Sequence, residues 1–290
     1  MRAAAIFGLG TSPGNLESFR SVSATEWLEG VPSSSADADA ILIFGGDGTI
    51  HRHLPALVRL GLPVLVVPAG SGNDFARALK LRSAQDSLKA WQAFEAGRVT
   101  PQAIDLGLIV STAAQDSPHY FCCVAGCGLD SVAAERANRM PRWLRGHGGY
   151  ALALLPALLG FRAISMSLIS IGGIPPASPT KPTLVAAFAN TRYYGDGMQI
   201  APEASMTDGM LDICRVSALS AFKLFCMFPT VYFGHHLSMP EVEYWKAERV
   251  RLQTERPLAV YADGEFVCET PVEIEVARAA LRVITLQPVS

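Results

Sequence analysis

No apolar run in this sequence reaches the roughly 20 residues that a membrane-spanning helix needs, so a helical transmembrane protein is not expected. A concentrated basic surface is also missing. The 24 Lys and Arg against 26 Asp and Glu are scattered, leaving a net charge of -2 and no field for a phosphate backbone, so nucleic acid is not an expected partner. Six cysteines (Cys122, Cys123, Cys127, Cys214, Cys226 and Cys268) include no CxxC pair. Most sit in apolar runs where a thiol acts as a small hydrophobe, a pattern that excludes a zinc knuckle and suits a reducing cytoplasm. The opening MRAAAIFGLG is too short and glycine-rich for a signal peptide and reads as a first strand. Among the histidines, His51 and His53 diverge on a helix and His235 and His236 are adjacent, so none is assigned to a metal.

What is present is a sizeable apolar half: 50% of 290 residues, enough for one large or two ordinary domains. Up to about residue 104, AAAIFG, ILIF and LPVLVVP read as strands, while HLPALVRLG, DFARALKL and Gln85 to Gly97 read as helices. Strand and helix in alternation predict a parallel sheet covered on both faces. From about residue 105 the segments are short, β-rich and punctuated by turns, the pattern of an antiparallel sandwich or barrel. The expected organisation is therefore an α/β unit over 1–104 and an all-β unit over 105–290. The prolines of GGIPPASPTKP, 172–182, predict a loop.

Glycine-rich turns mark the candidate site. GGDGT, 45–49, lies between a buried strand and a helix start, where backbone N–H groups and the helix dipole suit phosphate oxygens. A carboxylate there, Asp47, would repel phosphate unless a divalent cation lies between them. A second loop of the same style, AGSGND, follows the next strand, so two parallel neighbours would place both loops in one crevice. Asp130 follows a third glycine pair, and reads equally as a turn residue or a cleft carboxylate. Asp208 in the turn Asp208-Gly209 reads either as a plain hairpin or, with loop carbonyls, as a holder of a hard cation. Asp263-Gly264 between alternating segments is a hairpin signal, and its rigid turn would present Asp263 and Glu265 as a base or as metal ligands.

These motifs stand in one order: GGDGT, PAGSGNDFARAL, GCGLD, GDGMQIAPEASMTDGMLD and DGE. In that order the chain resembles the diacylglycerol kinase catalytic-domain family, the lipid kinases that include sphingosine and ceramide kinases and bacterial relatives, with NAD kinases more distant. The likeness runs from about Ile41 onward. It implies a Rossmann-like α/β nucleotide-binding domain, then an antiparallel β-sandwich, with the active site in the cleft between them. It implies that Gly45, Gly46, Asp47, Gly48, Thr49, Ile50, His51 and Arg52, with Gly70, Ser71, Gly72, Asn73 and Asp74, form the ATP site. Asp47 and Asp130 would help hold a catalytic Mg2+, and Glu265 would be the base with Asp263 beside it. A structural Mg2+ would bind Asp208 and the backbone of Ser205 and Met210.

The implied reaction is transfer of the γ-phosphoryl group of ATP to a hydroxyl of a membrane lipid such as diacylglycerol, at the cytoplasmic face of the membrane. Two apolar segments, Gly148 to Phe161 beside Arg139, Arg142, Trp143 and Arg145, and Ala218 to Met239, read as packed helices or as shallow membrane contacts. The alternatives are a kinase with a soluble acceptor, as in NAD kinases, and a family member that binds nucleotide or lipid without transferring anything. An exposed sandwich edge would allow pairing with a second copy. Two departures from the family pattern stand out. FGLGTSPGN replaces its usual first turn, leaving Thr11, Ser12 and Gly14 as substitutes, and the short stretch before GGDGT predicts a missing strand or helix. His51 stands where Asn is usual, which predicts a pH-sensitive nucleotide site.

Overall fold

A computed structural model describes residues 1–112, 117–139, 162–173, 176 and 178–289. Strands β1 (Arg2–Phe7), β2 (Glu26–Glu29), β3 (Ala40–Gly45) and β4 (Pro63–Pro68) run parallel in the order β2-β1-β3-β4. Ala3 to Ile6, Ala40 to Phe44 and Val64 to Val67 are buried without alternation, as expected of strands covered on both faces. Between β1 and β2 the only α-helix is the single turn α1 (Glu17–Arg20).

Helix α2 (Asp47–Leu60) buries Ile50, Leu54, Leu57 and Leu60 along one stripe and stops at Gly61, which takes the left-handed φ of +63°. It begins six residues before HLPALVRLG, because the glycine loop itself forms its first turn. Helix α3 (Asp74–Ala78) is shorter than DFARALKL suggested, since Lys80 turns left-handed at φ +60°. Helix α4 (Ala84–Glu95) starts at Ser83, whose hydroxyl accepts the Asp86 N–H.

The remaining strands are β5 (Gln102–Ser111), β6 (His119–Phe121), β7 (Val124–Gly128), β8 (Ile164–Gly173), β9 (Thr180–Ala189), β10 (Leu211–Ser217), β11 (Val242–Thr254), β12 (Ala259–Ala262), β13 (Glu265–Glu269) and β14 (Val272–Val283). Helix α5 (Leu129–Arg139) follows β7, and α6 (Ala221–Val231) follows β10. The strands run in the order β13-β12-β7-β9-β10-β11-β14, with β8 against β9 and β11 and β5 against β14 and β6. All of these contacts are antiparallel and enclose a second core that includes Phe121, Met166, Leu168, Phe188 and Trp245.

Two features depart from expectation. Gly172 and Gly173 end β8, while Lys181 and Pro182 lie inside β9, so the proline-rich segment is strand at both ends. Pro182 is tolerated because its neighbours need only its carbonyl, which accepts from Ala218 N. The last strand also does not stay in the β-rich unit. Its register shifts between Ala277 and Leu281, after which Arg282 and Val283 pair in parallel with Pro63 and Val64 of β4. Among the described residues one 14-stranded sheet results.

No helix among the described residues is long and apolar enough to cross a membrane. Gly148 to Phe161 and the side chains of Arg139, Arg142, Trp143 and Arg145 lie outside the described residues.

Candidate active site

Because β3 and β4 are parallel neighbours, their two glycine loops leave the sheet side by side. They touch backbone to backbone. A Cβ at Gly70 would lie 2.5 Å from the Gly46 Cα, and one at Gly46 would lie 2.7 Å from the Gly70 Cα. Thr49 wedges between β1 and β3 in the same way, since Cβ atoms on Gly8 or Gly45 would overlap its side chain. Thr11 closes the wedge by donating its hydroxyl to the carbonyls of Gly8 and Phe44, at 2.8 and 3.0 Å.

Asn73, at a left-handed φ of +55°, accepts the Gly70 N–H and returns an amide hydrogen to the Gly70 carbonyl. It braces the loop that carries exposed Gly70 and Ser71 rather than presenting its amide to a ligand. Ile50 is a core residue of α2 and makes no part of the cleft wall. Both were expected among nucleotide contacts; Ile50 instead packs in the core and Asn73 holds its loop.

The carboxylates gather around Gly72, where a Cβ would lie 3.3 Å from an Asp47 oxygen and 3.8 Å from an Asp74 oxygen. Asp47 accepts the N–H groups of Asp74 and Phe75 at 3.0 Å each, capping α3 from another loop. Burial pushes its carboxyl pKa upward against those two bonds. Asp74 pairs with Arg77 and accepts the Asp196 N–H at 3.0 Å. Burial first, and the neighbouring Asp47 second, push Asp74 up to about 7. Arg77 also faces Asp196 at 3.6 Å and lies over the ring of Tyr193.

Opposite these loops stands the β12–β13 hairpin. Asp263 and Gly264 take φ values of +50° and +85°, the backbone of a tight hairpin turn. The Asp263 carboxylate is fully buried and points back into the protein. Its Oδ1 accepts from the N–H groups of Cys123 and Val124 at 2.8 and 3.3 Å. Its Oδ2 takes the Cys122 N–H at 2.8 Å, the Cys122 thiol at 3.2 Å and His51 Nδ1 at 3.2 Å.

Burial opposes ionisation of Asp263, yet His51 and these N–H groups outweigh it and hold the carboxyl below the usual range. Reciprocally, burial works against the His51 imidazolium, and Asp263 outweighs it and raises the pKa. Asp263 thus borders the cleft beside Glu265, but its buried carboxylate is committed to these partners and anchors the turn.

Glu265, two residues on, is exposed and reaches α2, its Oε1 3.0 Å from where a Cβ on Gly48 would stand. Arg52 lines the same wall one turn further along α2. Among the described residues, Cys122, Cys123 and Asp263 could together face a metal ion. Burial instead keeps both thiols protonated, with Cys123 pushed up to about 12.

The open cleft has a volume of about 450 Å³ and is walled by Asp47, Asp74, Asp130, Asp196 and Glu265 with the glycine loops. Asp130, in the first turn of α5, lies over Gly126, where a Cβ would meet its carboxylate. A second cavity of about 40 Å³ adjoins, and Asp130 and Tyr194 line both. Its other walls are apolar, among them Met198, Ile200, Leu224, Met227 and Val231. This group of hard oxygen donors around one opening fits a divalent cation such as Mg2+.

The expected structural cation site does not fit. Lys246 places its ammonium 2.8 Å from Asp208 Oδ2 and 3.5 Å from Asp212 Oδ2, and donates to the Glu203 carbonyl at 3.3 Å. The other Asp208 oxygen accepts the Met210 N–H at 3.1 Å, and the Ser205 hydroxyl pairs with Thr207. The chain itself supplies the cation at Asp208. Gly209 is tied by its N–H to buried Asp105, which also accepts from Ala279 at the bend of β14.

The structure therefore brings Gly46, Asp47, Gly48, Thr49, Arg52, Gly70, Ser71, Gly72, Asp74, Asp130, Asp263 and Glu265 to one cleft and leaves Ser205, Asp208 and Met210 outside it. His51 stands behind the wall on Asp263. Missed from sequence were Gly8, Arg77, Tyr194, Asp196, Asp105 and Lys246. The Asp196 loop carried a usable signal: Gly195, Asp196 and Gly197 all take positive φ, and an aspartate between two glycines permits that run.

Residues 16–109 match the diacylglycerol kinase catalytic domain, and residues 123–285 match the YegS C-terminal NAD kinase beta sandwich-like domain. A diacylglycerol kinase of Mycobacterium tuberculosis is 36% identical over 246 residues, covering 85% of this chain and 76% of the relative. A crystal structure of a diacylglycerol kinase from Bacillus anthracis superposes with a TM-score of 0.73 at 20% identity, covering 98% of this chain and 96% of its own. An NAD kinase from Archaeoglobus fulgidus, in complex with ATP, superposes at 0.52 with 16% identity, covering 99% and 94% of the two chains.

Proposed function

Because the chain belongs to the diacylglycerol kinase catalytic-domain family, we propose that it transfers the γ-phosphoryl group of ATP to a hydroxyl of a membrane lipid, with Mg2+ at the cleft carboxylates. The observation that carries this reading is the approach of Glu265 to Gly48. It brings the exposed carboxylate beside the hairpin turn to the helix turn whose N–H groups suit phosphate.

In this reading the N-terminal turn of α2 and Arg52 receive the phosphates. Asp47 and Asp130 would hold the cation, which would supply neutralisation of phosphate charge. Glu265 takes the proton of the acceptor hydroxyl as its oxygen bonds to the γ-phosphorus and the bond from that phosphorus to the β–γ bridging oxygen breaks, releasing ADP. Asp263 and His51 touch no reacting atom and fix the turn that aims Glu265. The apolar cavity beside Asp130 receives the start of an acyl chain, which favours a lipid alcohol over a soluble one. The protein then works as a peripheral enzyme at the inner face of the membrane.

Incubation with labelled ATP, Mg2+ and a total lipid extract, beside Glu265→Gln, tests the reading. Label in the organic phase with the wild type alone supports it and yields the acceptor. Label confined to a water-soluble product would favour a soluble acceptor, and nucleotide bound without transfer would favour the non-catalytic alternative.

A further inference from the structure

Helix α6 is apolar on both faces. Leu224, Met227 and Val231 point inward and line the cavity beside Asp130. Phe222, Phe225, Cys226 and Pro229 follow the same helical spacing on the outside, and Phe233 continues their line past the helix end. Phe222 is 77% exposed, Phe225 59% and Phe233 70%. A surface helix ordinarily turns polar residues to water, and three exposed phenylalanines along one stripe need a covering phase. The one charge on the helix, Lys223, is neutralised by Glu241 at 2.6 Å, so the face offers no field to a charged partner.

We propose that this outward stripe of α6 docks the enzyme on a lipid bilayer, the phenylalanines entering the acyl boundary while the inward stripe lines the route of the acceptor lipid. Continuity favours a bilayer over a protein: one helix separates the exposed stripe from the apolar cavity, so a lipid entering that cavity passes along α6. Aromatic side chains on such a helix suit the interface. The inference rests on the lipid reading above, and its test uses neither nucleotide nor acceptor.

The test is partition onto neutral phosphatidylcholine vesicles at low and high salt, comparing wild type with the Phe222→Ser, Phe225→Ser, Phe233→Ser triple variant. The expected result is at least a tenfold loss of partition in the variant, with wild-type binding insensitive to salt. Cys226, exposed where the other five cysteines are buried, gives a second readout. A polarity-sensitive dye on it should shift to the blue on vesicles without any substitution. The triple variant should keep the wild-type thermal midpoint, since the three side chains are outside the core. Unchanged partition, or an unshifted dye, overturns the proposal. So does a wild-type dimer in sedimentation that the variant loses while vesicles bind neither, which would assign the stripe to a second copy. Failure of lipid phosphorylation with vesicle binding intact would instead fault the kinase reading alone.

Discussion

His51 Nδ1 and Asp263 Oδ2 lie 3.2 Å apart and fasten the second turn of α2 to the hairpin that carries Glu265. Asp263 keeps a lowered pKa and His51 a raised one. The pair is therefore fully charged in mildly acidic solution. A histidine raised in the folded state contributes stability that is present below its unfolded pKa near 6.5 and lost as pH rises through the folded value.

His51→Ala should therefore destabilise by about 1–3 kcal/mol at pH 5.5 and by less at pH 8.5. His51→Asn, which retains a donor, should recover part of the loss at the higher pH. Urea unfolding at the two pH values measures this, and an equal loss at both would count against a charged pair.

Asp74 is raised to about 7 from an ordinary 3.8, so the folded state binds more protons than the unfolded one between those values. Its contribution is present below about pH 4 and lost as pH rises through 7. Asp74→Asn should thus be more stable than wild type at pH 8, by up to about 4 kcal/mol at 1.36 kcal/mol per pKa unit. That gain should vanish near pH 4. Thermal melts across this range decide it, and a variant less stable at pH 8 would show that the Arg77 ion pair outweighs burial.

The contact between the two loops makes a severe demand on one residue. Gly70→Ala places a methyl group 2.5 Å from the Gly46 Cα, which neither backbone can evade without moving. The expected loss is at least tenfold in nucleotide affinity with a melting temperature lowered by only a few degrees, because the loop lies at the surface. Calorimetric titration with ATP measures it, and wild-type affinity would mean that the loops part freely.

Lys246 stands where a divalent cation was expected, against Asp208 and buried Asp212. Lys246→Met should cost about 1–3 kcal/mol by leaving Asp212 buried without its cation. The wild-type melting temperature without nucleotide should be indifferent to EDTA at this site. A Mg2+ that raises the midpoint of Lys246→Met but not that of wild type would show the ion taking the place of the lysine.

Much of the cleft was legible because its signals are local. A buried run followed by glycines specifies strand, turn and helix within about ten residues, and Asp-Gly between alternating strands specifies the Asp263 turn. The side-chain commitments were not legible. Asp47 caps α3 across 27 residues of sequence and Asp263 binds amides 140 residues away, and no periodicity carries such information. Asp263, a carboxylate beside a glycine, reads as a ligand until its partners are known. Lys246 escaped notice for the same reason, since a lysine in a strand reads as an ordinary exposed position. Pro182 misled because proline is a strong breaker signal, while a register that asks only for its carbonyl accepts it.

The end of β14 gives the molecule an order in time. Arg282 and Val283 complete the side of β4 away from β3, and the preceding part of the same strand lies in the other core. During synthesis, the first 100 residues therefore leave the ribosome with one flank of their sheet bare and apolar. That flank waits through some 180 further residues, roughly 10–40 s at ordinary elongation rates, before its neighbour arrives. A chain stopped before Arg282 would carry every site motif and hold the glycine loops of β3 and β4 on an unfinished sheet.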